Sequence, residues 1–124
     1  MTQDYYGTKR ITAYPKEQDG KPGYRMLYAD GYQSWSPKDV FEAAHQPITA
    51  MSFGHALAAL KEGYKVARAG WNGEGMWLRL QTPEAHSKMS LPYLYMNTAD
   101  WHFVPWLASQ TDMLANDWMI VEGV

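Results

Sequence analysis

The strongest constraint on this fold is one stretch with helical periodicity, from Ser52 to Gly63. It is followed by short segments in which apolar and polar residues alternate as they do in strands. In the helical stretch, apolar residues recur at i, i+3, i+4 and i+7, which predicts an amphipathic helix capped by Ser52 and ended by Gly63. The later segments are separated by glycine, asparagine and proline turns, which favours antiparallel strands. These segments are residues 64–68, 76–81, 91–96, 102–105 and 118–121. We therefore predict an α+β fold, an antiparallel sheet with one amphipathic helix and short caps.

A small β-hairpin and helix are predicted ahead of this helix. The hairpin covers residues 24–35 and turns at Asp30-Gly31, a dipeptide typical of two-residue hairpin loops. Ser36 as cap and Pro37 in the first turn then predict a short helix over 37–45. This pattern predicts a compact N-terminal unit.

The first 23 residues are polar and broken by prolines and glycines, so we expect a flexible start. Together with the hairpin and helix they form a predicted N-terminal module, residues 1–47. The remaining residues, 48–124, form the second predicted domain. A chain of 124 residues can bury one real core and at most a small appendage.

The composition argues against several classes of function. Eleven basic and thirteen acidic residues leave no electropositive field for long nucleic acid. The absence of cysteine excludes a disulfide scaffold and thiolate metal sites, and the four histidines lack ligand-like spacing. No apolar run approaches the roughly 20 residues of a membrane span, and the start lacks a secretory signal. We therefore expect a cytoplasmic protein with no membrane partner, no metal and no cofactor.

Two tryptophans each lie at a predicted chain reversal, Trp71 after strand 64–68 and Trp106 after strand 102–105. An indole at a sheet rim can stack on a nucleobase, which contributes about 1–3 kcal/mol. Arg68 could bind a phosphate through its guanidinium. Further polar candidates are Asn72, Ser109, Gln110 and Asp112. The same residues also suit two core tryptophans, a turn asparagine and a helix cap, so both interpretations stay open.

With these residues in view, residues 51–122 resemble the Thoeris anti-defence two family of phage and prophage proteins. The resemblance rests on Val66-Ala-Arg68-Ala-Gly-Trp71-Asn72-Gly73, Met96-Asn-Thr98-Ala-Asp100, Val104-Pro105-Trp106-Leu-Ala-Ser109-Gln110-Thr-Asp112 and Asp117-Trp118. Trp101 departs from the pattern, because a glycine is common there. The N-terminal residues resemble a short module found at the start of assorted phage proteins.

The resemblance implies a non-enzymatic sponge, a homo-oligomer (tetramer or dimer) that sequesters a cyclic ADP-ribose isomer in the cytoplasm of the bacterial host. Some members of the family also take up cyclic oligonucleotides. The resemblance places the ligand between subunits, with Trp71 and Trp106 as stacking residues. The alternatives are a phage protein–protein interaction module without a small ligand, and a nucleotide-cleaving enzyme with Asp100 or Asp112 as base.

Overall fold

The computed structural model describes residues 2–71 and 74–122, and the chain divides into two compact units, Met1–Gln46 and Pro47–Val124. Each unit has its own antiparallel sheet and at least one short helix, which confirms the predicted α+β class. Among the described residues, no helix is long and apolar enough to cross a membrane.

The Met1–Gln46 unit is a three-stranded antiparallel sheet followed by a helix. Its elements are β1 (Thr12–Pro15), β2 (Gly23–Leu27), β3 (Gln33–Pro37) and α1 (Lys38–Ala44). The predicted hairpin strands are confirmed as β2 and β3. The expected two-residue turn is wrong, because the Tyr28 amide donates to Tyr32 O and leaves a three-residue loop, 29–31, in which Gly31 has a φ of 89°. Strand β1 was not predicted, because four residues ending on a proline show too little alternation. At the edge of a sheet that proline is tolerated.

The helix α1 packs on the sheet through an aromatic stack. Tyr24 of β2 stacks on Phe41 with ring centroids 4.3 Å apart, and its hydroxyl donates to Glu42 at 2.6 Å. The predicted Ser36 cap is wrong. Ser36 stays in β3 opposite Tyr24, and Pro37 occupies the N-cap position without a side-chain cap bond.

Within its described residues, the Pro47–Val124 unit contains a five-stranded sheet and two helices, one before the first strand of that sheet and one before its last strand. The elements are α2 (Phe53–Lys61), β4 (Lys65–Arg68), β5 (Trp77–Gln81), β6 (Tyr93–Asn97), β7 (Phe103–Pro105), α3 (Gln110–Leu114) and β8 (Trp118–Val121). The strand order is β7-β6-β5-β4-β8, and every pairing is antiparallel. These elements agree with the predicted ones to within about two residues at each end.

The core of this unit lies between α2 and one face of the sheet. Leu60 of α2 is fully buried, as are Val66 and Leu78, which face each other across β4 and β5. The predicted ends of the helix are confirmed, since the Ser52 hydroxyl accepts the His55 amide at 3.4 Å and Gly63 has a φ of 97°. Burying each large apolar side chain contributes about 1.5–3 kcal/mol, so this contact holds α2 on the sheet.

The opposite face of the sheet carries a second group of rings, Trp77, Tyr95 and Phe103, which we call the open-face cluster. The pairing register puts these residues out of phase with Leu78 and Met96, which lie on the α2 face. Their ring centroids are 5.1 to 6.0 Å apart.

The two edges of the sheet are finished differently. Strand β8 is covered by the segment before α2, where Met51 pairs with Trp118. Strand β7 is the other edge. The Thr98 amide donates to the His102 carbonyl and the Trp106 amide donates to the Leu94 carbonyl, so every second residue along this edge directs its backbone groups toward β6. Consequently Phe103 and Pro105 direct their backbone groups outward.

Candidate functional site

The two indoles predicted to bind a ligand share one support. Trp71 and Trp106 are half-buried, and both pack edge-on against Trp118, which is 0% exposed. The centroid of Trp118 lies 5.5 Å from that of Trp71 at 80°, and 6.1 Å from that of Trp106 at 83°. Phe53 of α2 completes the group, 5.3 Å from Trp118. We call these four residues the Trp118 cluster.

Trp118 is held rigidly at the start of β8. Its Nε1 donates to the Asp112 carbonyl at 2.9 Å, and its backbone exchanges two hydrogen bonds with Met51 at 2.7 and 3.0 Å. A buried indole needs such a partner, because an unsatisfied N–H inside a protein is destabilising. The support under Trp71 and Trp106 is therefore fixed in position.

Arg68 ties three elements together beside the cluster. Its Nη1 donates to Asp112 Oδ1 at 3.0 Å, and its Nε donates to Asp117 Oδ1 at 2.9 Å. Asp117 Oδ2 also accepts the Gly70 amide at 3.0 Å. The end of β4, the short helix α3 and the residue before β8 are thereby held as one body.

The same contacts set the charge states of the three groups. The hydrogen bonds that Arg68 donates to Asp117 and Asp112 raise the pKa of Arg68 above its ordinary value. Burial alone would raise the pKa of Asp112, but hydrogen bonds from Arg68 and Ser109 outweigh it and leave that pKa lowered. The Arg68 bond likewise lowers the pKa of Asp117. Arg68 already faces two carboxylates, so a phosphate would have to bind the remaining N–H groups of its guanidinium. The predicted phosphate contact stays a prediction.

Two more predicted contact residues build the cap of α3. The Ser109 hydroxyl accepts the Asp112 amide at 3.0 Å, and Asp112 Oδ2 accepts the Ser109 amide at 3.2 Å. This reciprocal capping box makes Ser109 and Asp112 structural residues, whatever they contact besides. Gln110 is exposed next to them, and its ligand contact stays a prediction.

Gly75, shortly before β5, is held by a side chain of the neighbouring strand. Asn97 of β6 is 1% exposed, and its Nδ2 donates to the Gly75 carbonyl at 2.8 Å. Asn72, a predicted contact residue, lies outside the described residues. No group of three or more potential metal-binding side chains occurs within residues 2–71 and 74–122.

Sequence reasoning missed the residues that assemble this site. Trp118 was predicted as the start of a strand and as part of the family pattern, with no role in the site. Its position facing α2 follows from the pairing of β8 with β4. Asp117 lies 49 residues from Arg68, so no local spacing connects them. A signal does exist in the alternation of β8, which puts Trp118 and Ile120 on one face and both inside.

Known proteins resemble this chain in one of its two units. The family described as Thoeris anti-defense 2-like domain matches residues 51–121. The protein named Thoeris anti-defense 2 from Bacillus phage SP01 is 41% identical over 86 residues, covering 59% of this chain and 97% of the relative. The family match includes the whole Trp118 cluster and Arg68 with both of its carboxylate partners.

Proposed function

We propose that this chain, which belongs to the Thoeris anti-defense 2-like family, counters the Thoeris defence of the bacterial host by sequestering a cyclic nucleotide signal without cleaving it. The anti-defence role comes with the family. The ligand we propose is a cyclic ADP-ribose isomer, with a cyclic oligonucleotide as the second candidate. The observation that carries the proposal is the Trp118 cluster, in which two half-buried indoles stand on one buried indole.

Such a cluster suits tight binding of a purine. Stacking of a base on an indole contributes about 1–3 kcal/mol. Because Trp71 and Trp106 already pack on Trp118, little side-chain freedom is lost when a ligand binds, and preorganisation of this kind mainly slows dissociation. A protein that removes a signal from solution needs slow dissociation above all.

The carboxylates near the cluster favour binding over cleavage. A general base works best when its pKa lies near the working pH. The pKa of Asp112 and that of Asp117 are lowered beside Arg68, so both groups are weak bases at neutral pH. The pKa of Asp100 is also lowered, first by the Thr98 hydroxyl and then by His102. These shifts support a protein that returns its ligand intact.

Exposed apolar side chains support assembly into a homo-oligomer. In the Pro47–Val124 unit, Phe103 is 67% exposed, Leu107 91% and Leu114 78%. Large apolar residues exposed together commonly mark a contact surface. We propose that copies of the chain meet through such residues, with the ligand bound between them in the bacterial cytoplasm.

The test is to mix the purified protein with cyclic ADP-ribose isomers and, separately, with cyclic di-AMP. Native mass spectrometry should show bound ligand, and heating should release it with its mass and chromatographic retention unchanged. The Trp71→Ala variant should weaken binding by about tenfold or more.

The control is Tyr32→Ala in the Met1–Gln46 unit, which removes an exposed ring outside the family match and should bind like the wild type. Ligand returned as a cleaved product would refute sequestration. A wild-type protein with no nucleotide affinity, whose Trp71→Ala variant loses subunit contacts instead, would identify an interaction module.

A further inference from the structure

Trp101 has a backbone conformation that does not suit its side chain. Its φ is +65°, in the left-handed region that glycine and asparagine adopt with little strain and that a bulky residue seldom occupies. The turn between β6 and β7 imposes this angle. The Thr98 amide donates to His102 O at 2.8 Å, and the Trp101 amide donates to Thr98 O at 2.9 Å.

Core packing does not explain the indole at this position, because the side chain of Trp101 is 73% exposed. Such a residue lowers the stability of the fold in two ways, because its backbone is strained and its apolar ring remains in water. Local structure that opposes stability is found mainly at functional positions.

The exposed ring lies against Gly75, shortly before β5. A Cβ placed on Gly75 would come within 3.3 Å of Trp101 Cζ2, so the edge of the indole rests against that glycine. The Gly75 carbonyl is fixed by Asn97. The β6–β7 turn and Gly75 therefore meet at the end of the sheet where β4 ends and β5 begins, the same end at which Arg68 pairs with Trp118.

We infer that Trp101 is a further ligand-binding residue, whose indole stacks on the nucleobase of the bound cyclic nucleotide at the end of the sheet where the ring lies against Gly75. This inference rests on the proposed function. An indole face binds the flat face of any base, so Trp101 adds affinity for purine-bearing ligands without selecting among them by hydrogen bonds.

The decisive variant is Trp101→Asn, which removes the indole while keeping a residue that tolerates positive φ. Its partner is Trp101→Phe, which retains an aromatic ring in the strained conformation. Calorimetry with cyclic ADP-ribose isomers and with cyclic di-AMP should show about tenfold or greater loss of affinity for Trp101→Asn. Trp101→Phe should recover part of that loss. Without ligand, the melting temperature of Trp101→Asn should equal or exceed that of the wild type.

Leu91→Asn is the control, because it removes a similarly exposed apolar side chain (74% against 73%) elsewhere in the unit and should leave affinity unchanged. Wild-type affinity in Trp101→Asn, with weak binding in Trp71→Ala, would overturn the inference and leave the proposed function standing. A changed subunit number in Trp101→Asn would make Trp101 an assembly contact and also overturn it. A wild-type protein that binds neither probe would remove both proposals.

Discussion

The two aromatic clusters of the Pro47–Val124 unit lie on opposite faces of one sheet and differ in what holds them. The Trp118 cluster stands on a fully buried indole whose N–H is bonded, next to an arginine paired with two carboxylates. The open-face cluster contains no ring that is fully buried, and Phe103 is 67% exposed. Its polar cover is Lys65, with Nζ 5.1 Å from the Trp77 centroid.

This difference separates two uses of the same side chains. Rings fixed by burial and hydrogen bonds can receive a ligand at little entropic cost, whereas rings on an open apolar face suit contact with another surface. Aromatic content alone would rank the two clusters as equal. Under the proposed function, their supports assign ligand binding to the Trp118 cluster and subunit contact to the open-face cluster.

The largest expected effect is on Trp118. Trp118→Ala should lower the free energy of unfolding by about 3–5 kcal/mol, because it empties a fully buried indole site. Trp77→Ala, which removes a half-buried ring, should lower it by about 1–2 kcal/mol. Urea denaturation followed by circular dichroism measures both. Equal losses would show that the two clusters are supported alike and would remove the distinction.

A smaller effect is expected when the ion pairs beside the Trp118 cluster are broken. Arg68→Met should lower the free energy of unfolding by about 1–3 kcal/mol, since it strands two partly buried carboxylates. The side chain of Asp117 is 35% exposed and that of Asp112 14%, so solvent screening reduces chiefly the Asp117 part. Arg79→Met is the control, because Arg79 is exposed and makes one 3.4 Å bond to the Gly63 carbonyl. If both variants unfold at the same urea concentration, the network does not stabilise the fold.

The smallest expected effect is a dependence on acid. Asp112 and Asp117 have pKa values lowered from 3.8 in the folded protein. Below about pH 4 the unfolded chain therefore binds more protons than the folded one. The stability from these pairs is full above the unfolded pKa and is lost as the pH falls through the folded pKa values.

Denaturation curves at pH 7, 5, 4 and 3 should show this loss in the wild type and a weaker dependence in Arg68→Met. Parallel pH profiles for the two proteins would contradict the assignment of these shifts to Arg68.

Local signals predicted the elements well where chemistry and spacing agree. Ser52 and Gly63 bound α2 as expected, and Ser109 caps α3. Ser36 failed as a cap because pairing with Tyr24 keeps it in β3, which is a tertiary contact that propensity does not register. Strand β1 was missed for a similar reason, since only its pairing with β2 makes it a strand.

The sequence predicted the two candidate stacking rings, but it predicted little of what holds them in place. The sequence places Trp71 and Trp106 each beside a predicted chain reversal, and both are half-buried. That they share Trp118, and that Arg68 reaches Asp112 and Asp117, depends on contacts made across 44 and 49 residues. Spacing along a chain carries no information about such contacts until the order of the strands is known.

The edge strand β7 bears on whether this sheet can pair with strands of other molecules. An unprotected sheet edge recruits strands from other molecules and can grow into cross-β fibrils. Here the outward positions are Phe103 and Pro105, and the proline has no amide hydrogen to offer an incoming strand. One donor on a three-residue strand is a poor template. Strand β7 is therefore a poor starting point for edge-to-edge aggregation of this sheet.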